Sequence, residues 1–195
     1  MGHSRAEKAE SRERILAEAA RQVRRDGLES VGVGTLMQSV GLTHGGFYGH
    51  FESRSALLAE ALERALKEGE ANAKAPGSGR APSFDRAVRS YLSRTHRDAR
   101  DSGCAIAALA CDVARADAAS REVMSDHIEG FIAAMSKTLG GREDAAMLAV
   151  SAMVGALALS RVIADPARSD ALLKSVRDQL RTLENPASSE ASQSG

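Results

Sequence analysis

Residues Gly41 to Phe51 run Gly-Leu-Thr-His-Gly-Gly-Phe-Tyr-Gly-His-Phe, and they carry the chain's most legible chemistry. His44, Tyr48 and His50 fall on the outward side of a short helical segment. Each can donate a hydrogen bond to a phosphate oxygen or a base edge. Phe47 and Phe51, four residues apart, share the inward face. Thr43 is placed to cap the first turn, whose free N–H groups suit a phosphate or a base edge. Gly45 lets the backbone come close to such a partner. Arg54 at the start of the next helix and Thr35 in the first turn of the preceding one add two more groups that suit phosphates. A helix this short does not hold itself together in isolation. It makes sense as part of a small helical module with its polar face against a large surface, best matched by the major groove of double-stranded DNA.

Other chemistries find less support. No Ser/His/Asp set, Gly-rich phosphate loop or paired carboxylates stand out, so no catalytic residues are expected. His96 and His127 with the two cysteines match no zinc spacing, and neither a metal nor a cofactor is expected. Cys104 and Cys111 lie seven apart on one predicted helix, about 10 Å between Cα atoms at a rise of about 1.5 Å per residue. A disulfide cannot span that distance while the helix is intact. The cysteines read chiefly as small buried hydrophobes, with a thiol-based redox sensor as the alternative.

The elements that must position these groups are helical. The 195 residues are 43% hydrophobic but only 3% aromatic, a balance that favours packed helices over sheets. Glu13 to Arg25 sets Ile15, Leu16, Ala19 and Val23 on one face, and Asp26-Gly27 closes that helix. Val33 to Val40 is a second short helix ended by Gly41, and Thr43 to Phe51 a third. Ser53 caps a fourth that runs to about Ala75. The stretch Ala75-Pro-Gly-Ser-Gly-Arg-Ala-Pro82 is a break. Beyond it, helical period recurs in Ser83–Ala99, Cys104–Ala116, Ala118–Leu139, Glu143–Ala164 and a last helix from Pro166. Pro186 to Gly195 is a polar tail expected to be disordered. The expected fold is all-α with about nine helices: residues 1–75 a helix-turn-helix domain with its connecting fourth helix, 76–185 a larger helical bundle.

The formal net charge is zero, but residues 1–25 hold seven basic side chains against four acidic ones. That surplus lies beside the reading segment. Arg12 and Arg14 read equally well as DNA-facing or as a solvated face. Nothing at the N-terminus looks like a signal segment. The longest apolar stretch, Ala145 to Ser160, falls short of the roughly 20 residues a membrane span needs. A cytoplasmic protein without membrane contact is expected.

The string Arg12-x-x-Ile15-Leu16-x-x-Ala19, Gly27-Leu28, then Gly41-Leu42-Thr43-x-Gly45-x-Phe47-Tyr48-x-His50-Phe51-x-Ser53-Arg54-x-x-Leu57-Leu58 resembles the TetR family of bacterial regulators over about residues 12–62. The resemblance implies phosphate contacts from Tyr48, His50 and Arg54. It also implies a homodimer on a palindromic operator, most often a repressor, released by a small-molecule effector. Gly34, Gly46 and Gly49 depart from the family pattern by removing side chains that read bases. The head therefore relies more on backbone contact and DNA shape, and a helical adaptor that has lost DNA binding is the competing reading.

For the second domain the expectations are a dimer face and an apolar effector pocket. Small residues at four-residue spacing (Ala152, Gly155, Ala156) with Leu159 permit close helix approach, and Leu172, Leu173, Val176 and Leu180 add a stripe on the last helix. Tyr91, Cys104, Met124, Phe131, Met135 and Met153 are the candidates for lining the pocket, although methionines at helical spacing also serve as core filler.

Overall fold

The structure, a computed structural model, describes residues 5–73 and 83–184. The break at 75–82 and the tail at 186–195 lie outside the described residues. Among the described residues every regular element is helical: α1 (Arg5–Asp26), α2 (Val33–Ser39), α3 (Arg54–Ala73), α4 (Phe84–Tyr91), α5 (Arg94–Asp98), α6 (Ala105–Val113), α7 (Ala118–Thr138), α8 (Glu143–Val162) and α9 (Pro166–Leu180). A six-residue 3-10 helix, His44–Gly49, lies between α2 and α3. Two three-residue 3-10 turns, Leu28–Ser30 and Arg181–Leu183, complete the set.

The chain forms two compact units. One comprises Met1–Glu70 with Arg100–Ser125, the other Ala71–Ala99 with Asp126–Gly195. The sequence pattern places α6 in the second domain; instead it clusters with the N-terminal helices, because it packs on α1 and on the Leu28–Ser30 turn.

In the N-terminal unit Ile15, Ala19 and Val23 of α1, Leu36 and Met37 of α2, and Leu57, Ala61, Leu62 and Ala65 of α3 are fully buried. The α1 helix begins eight residues earlier than its apolar pattern, in a stretch of alanine and charged residues that favour helix without needing a core. Arg24 on α1 is buried. It donates to the Glu68 carboxylate (2.8 Å), the Ala65 carbonyl (3.2 Å) and the Asp101 carbonyl (2.6 Å). Burial alone would raise the Glu68 pKa, but hydrogen bonds from Arg24 and Arg64 outweigh it and hold the carboxyl below its ordinary value. The buried guanidinium is thereby matched by a charge and two carbonyls.

Two departures shape the C-terminal unit. Ser83–Ala99, expected as one helix, divides into α4 and α5. Leu92 turns out of helical geometry while staying buried, and Ser93 caps α5 by accepting from the His96 N–H at 3.1 Å. Arg161 of α8 then donates to the carbonyls of His96, Arg97 and Ala99 at the end of α5. Asp165 caps α9 at the Ala167 N–H, with Pro166 in the first turn. The α8 and α9 helices form the unit's most extensive helix pair. They bury Ala149, Met153, Ala156 and Leu157 on one side and Leu173 and Leu180 on the other.

Gly27 joins α1 to the Leu28–Ser30 turn at φ +91°, and a Cβ there would lie 2.7 Å from the Asp112 carboxylate of α6. Gly27→Ala is expected to lower stability by about 1–2 kcal/mol, the cost of a side chain in the left-handed region, plus a steric part. Urea denaturation of Gly27→Ala with and without Asp112→Ala should show only the steric part recovered.

Candidate nucleic-acid interface

The reading segment is built on a glycine turn. Gly41 takes φ +73°, and the Leu42 N–H reaches back to the Met37 carbonyl at 2.8 Å, closing α2 in a Schellman-type arrangement. The chain then re-enters as the 3-10 helix His44–Gly49 and not as the α-helix expected over 43–51. Three glycines in six residues weaken any α-helical preference, and 3-10 geometry suits such short pieces. Thr43 stands at the N-cap position, but its side chain makes no capping hydrogen bond, contrary to the expected cap.

Phe47 is fully buried and Phe51 nearly so; their rings stack at 5.7 Å. This anchor leaves the other side free. Tyr48 is 70% exposed, its ring edge-on to Phe47 at 5.3 Å between centroids. Thr43, His44 and Gly45 are exposed and His50 is partly so. Thr35 is exposed in the first turn of α2, its hydroxyl donating to the Gly32 carbonyl at 2.9 Å. Five of the seven expected contact residues, Thr35, Thr43, His44, Gly45 and Tyr48, are therefore exposed on α2 and the segment that follows it.

Arg54 has a structural task. Its Nε donates to the Val31 carbonyl at 3.0 Å, and Nη2 reaches the carbonyls of Leu28 and Glu29 and the Glu29 carboxylate. The guanidinium is held on the α1–α2 connection, although part of it stays exposed. The basic surplus of residues 1–25 is largely paired within the unit as well: Arg12 with Glu60, Arg21 with Glu18, Arg24 with Glu68 and Arg25 with Asp26. Arg12 is part-exposed, with 40% of its side chain in solvent, yet it is also tied into the unit. It lies 4.6 Å from the Phe51 ring centroid and also donates to the His50 carbonyl. Sequence reasoning missed this, because Arg12 and Glu60 are 48 positions apart and no local pattern joins them. Arg14 lies at the limit of hydrogen bonding to the Val40 carbonyl, at 3.5 Å.

Residues 15–61 match the family model described as bacterial regulatory proteins, tetR family. These residues form a TetR-family domain. Solved structures extend the likeness to the whole TetR-type fold. The reduced form of NemR from E. coli is 22% identical, covers 89% of this chain and 96% of its own, and superposes with a TM-score of 0.71. A TetR transcriptional regulator from Chloroflexus aurantiacus is 22% identical, with coverages of 91% and 95% and a TM-score of 0.75. SCO4454, a TetR-family transcriptional regulator from Streptomyces coelicolor, is 23% identical, with coverages of 91% and 97% and a TM-score of 0.66. At these identities the likeness is one of fold. No curated protein matches the chain.

The remaining expected residues distribute unevenly over this TetR-type fold. Tyr91 and Phe131 meet at 5.7 Å between rings, and His96 stands edge-on to Tyr91 at 4.7 Å with its Nδ1 2.7 Å from the Tyr91 carbonyl oxygen. Burial pushes the His96 pKa down, against the opposing effect of that hydrogen bond. Met135 and Met153 are buried in the same unit, whereas Cys104 and Met124 belong to the N-terminal unit. Cys104 is the N-cap residue of α6 and not part of its first turn; it is half-buried and Cys111 is exposed, so neither is the buried hydrophobe expected. Among the described residues no group of three metal-binding side chains forms.

On α8 and α9, Ala156, Leu173 and Leu180 are buried inside the unit, so they are core and not an outward face. Ala152, Gly155, Leu172 and Val176 are partly exposed and Leu159 is exposed. Met147, Leu148 and Val162 join Leu159 as the exposed large hydrophobics of α8. By length and composition alone (20 residues, mean hydropathy 1.8) α8 resembles a spanning helix, a property it shares with helices that pack in a core, and part of its surface is buried here.

A Cβ at Gly49 would meet nothing within 4 Å, and one at Gly34 only the His44 ring at 3.5 Å. Gly34→Ala and Gly49→Ala are therefore expected to leave thermal stability unchanged or raise it by up to about 1 kcal/mol. In a band-shift titration each should weaken DNA binding if the backbone lies against the duplex; unchanged affinity and sequence preference would remove the sparse-head reading.

Proposed function

We propose that the chain is a ligand-responsive DNA-binding transcriptional regulator, a repressor acting in the cytoplasm as a homodimer on a palindromic operator. The observation that carries the DNA half is the reading segment. A fully buried Phe47 holds a glycine-rich turn whose exposed face includes Thr43, His44, Gly45 and Tyr48, inside a matched TetR domain. These are neutral or weakly basic donors, so the contacts are hydrogen bonds to phosphates and base edges more than ion pairs.

The dimer half rests on α8. Met147, Leu148, Ser151, Leu159 and Val162 form an exposed stripe along a helix about 30 Å long. Gly155 lies within it, where an added Cβ would meet open space. An apolar stripe of that extent on an otherwise amphipathic unit marks an association surface. A two-fold pair through it supplies two heads for two half-sites. The effector is an apolar small molecule recognised in the C-terminal unit near Tyr91 and Phe131. Its action is a shift between dimer states that differ in how well the heads fit the operator.

The test begins with a band shift on the chain's own upstream DNA, whose affinity should fall as salt rises. Tyr48→Phe removes only the phenolic donor; it should weaken binding about tenfold, the worth of one hydrogen bond to a charged group at about 1.5 kcal/mol, without moving the Tm. Leu159→Glu and Val162→Glu should yield folded monomers by sedimentation and abolish tight binding to a palindromic site. Variants that remain dimeric would place the interface elsewhere.

A further inference from the structure

One charged cluster of the N-terminal unit lies outside the exposed reading face. Arg12, on α1, uses three kinds of contact at once. Its Nη2 donates to both oxygens of Glu60 on α3 (2.7 and 2.6 Å), its Nε donates to the His50 carbonyl at 3.3 Å, and its guanidinium carbon lies 4.6 Å from the Phe51 ring centroid. His50 is the C-cap of the 3-10 helix. The cation therefore joins three elements at one point: α1, the end of the reading segment and the second turn of α3. A carbonyl at a helix C-terminus carries partial negative charge, and a guanidinium there is favourable on electrostatic grounds as well as through the hydrogen bond.

The segment needs such a tie. Three of its six residues are glycine, and the N–H groups of His50 and Phe51 both donate to the Phe47 carbonyl, at 2.9 and 3.1 Å. Phe47 and Phe51 fix the segment's depth through apolar contact, which is non-directional. A cation on the His50 carbonyl between them adds a directional tie two residues from Tyr48.

We propose that Arg12 and Glu60 are positioning residues for DNA reading, a clamp that orients the reading segment by its C-terminal carbonyl and the Phe51 ring. Arg12 acts through the segment and not by touching phosphate. The DNA-binding consequence rests on the function proposed above; the orienting role does not.

The experiment uses the full chain and the variants R12K and E60Q, the first keeping the charge but not the planar fork, the second keeping the shape but not the charge. Without DNA, hydrogen–deuterium exchange of the peptide covering residues 44–51 should rise about tenfold in both variants, with α8 unchanged. With DNA, the probes are a duplex enriched by the wild-type chain from a random pool and a scrambled duplex of equal length. Both variants should lose about tenfold in preference for the selected duplex, well below their Tm, with the salt dependence of binding unaltered. E60Q decides most sharply: deleting a negative charge from the DNA-binding unit strengthens binding on electrostatic grounds alone, whereas a lost clamp weakens it.

Unchanged exchange at 44–51 overturns the clamp. So does a lower Tm in both variants with preference for the selected duplex intact, which is the signature of a purely structural ion pair. A salt slope reduced by about one in R12K, with preference intact, identifies a phosphate contact instead. If the wild-type chain enriches no duplex, the DNA-reading function fails, and the exchange measurement still decides the orienting role.

Discussion

The burial of Phe47 is the constraint on which the reading head depends. It is the only residue of its 3-10 helix with no solvent exposure, and three of the other five are glycines. A glycine-rich turn has little intrinsic preference to hold it in place, so its pose comes from what it is attached to. The ring of Phe47, buried and stacked on Phe51, converts a weak local element into a fixed ledge. Everything exposed on that ledge, Tyr48 above all, inherits its position from that contact.

Electrostatics within the N-terminal unit follow a related logic. The zero net charge is matched by a pattern in which basic side chains near the N-terminus are paired with acids from α1 and α3. Glu68 accepts from both Arg24 and Arg64, and Arg24 is buried with a carbonyl of the segment before α6. Such pairs add rigidity and register more than net stability. They leave a reading face whose donors are mostly hydroxyls, imidazoles and backbone. On the DNA-reading function proposed above, such a head releases fewer counterions than a lysine-rich one and depends more on being presented at the right angle.

The C-terminal unit divides the apolar residues of α8 between two uses. The ridge through Ala149, Met153, Ala156 and Leu157 is inside, packed in a unit where α9 is the principal partner. The ridge through Leu148, Ser151, Gly155, Leu159 and Val162 faces out. The homodimer proposed above accounts for a helix apolar on both sides, one side meeting its own chain and the other a second copy.

Much of this was legible in the residues themselves. The helices of the N-terminal unit follow from 3.6-residue periodicity; Gly27 and Gly41 mark their turns, and Phe47 and Phe51 show which side of the reading segment is buried. These are local features, set by neighbours three or four positions away. The division of Ser83–Ala99 was less legible, since a Ser at position 93 competes for the backbone without interrupting the apolar pattern. The partners of long charged side chains were not legible at all. Arg12 finds Glu60, Arg54 finds the carbonyls of Leu28 to Val31, and α6 finds α1, each over separations at which sequence spacing carries no information. On α8 the sequence determined that two ridges of small and apolar residues exist. Which ridge is core and which is surface was decided only in three dimensions, because the rotation of a helix about its axis is set by what packs against it.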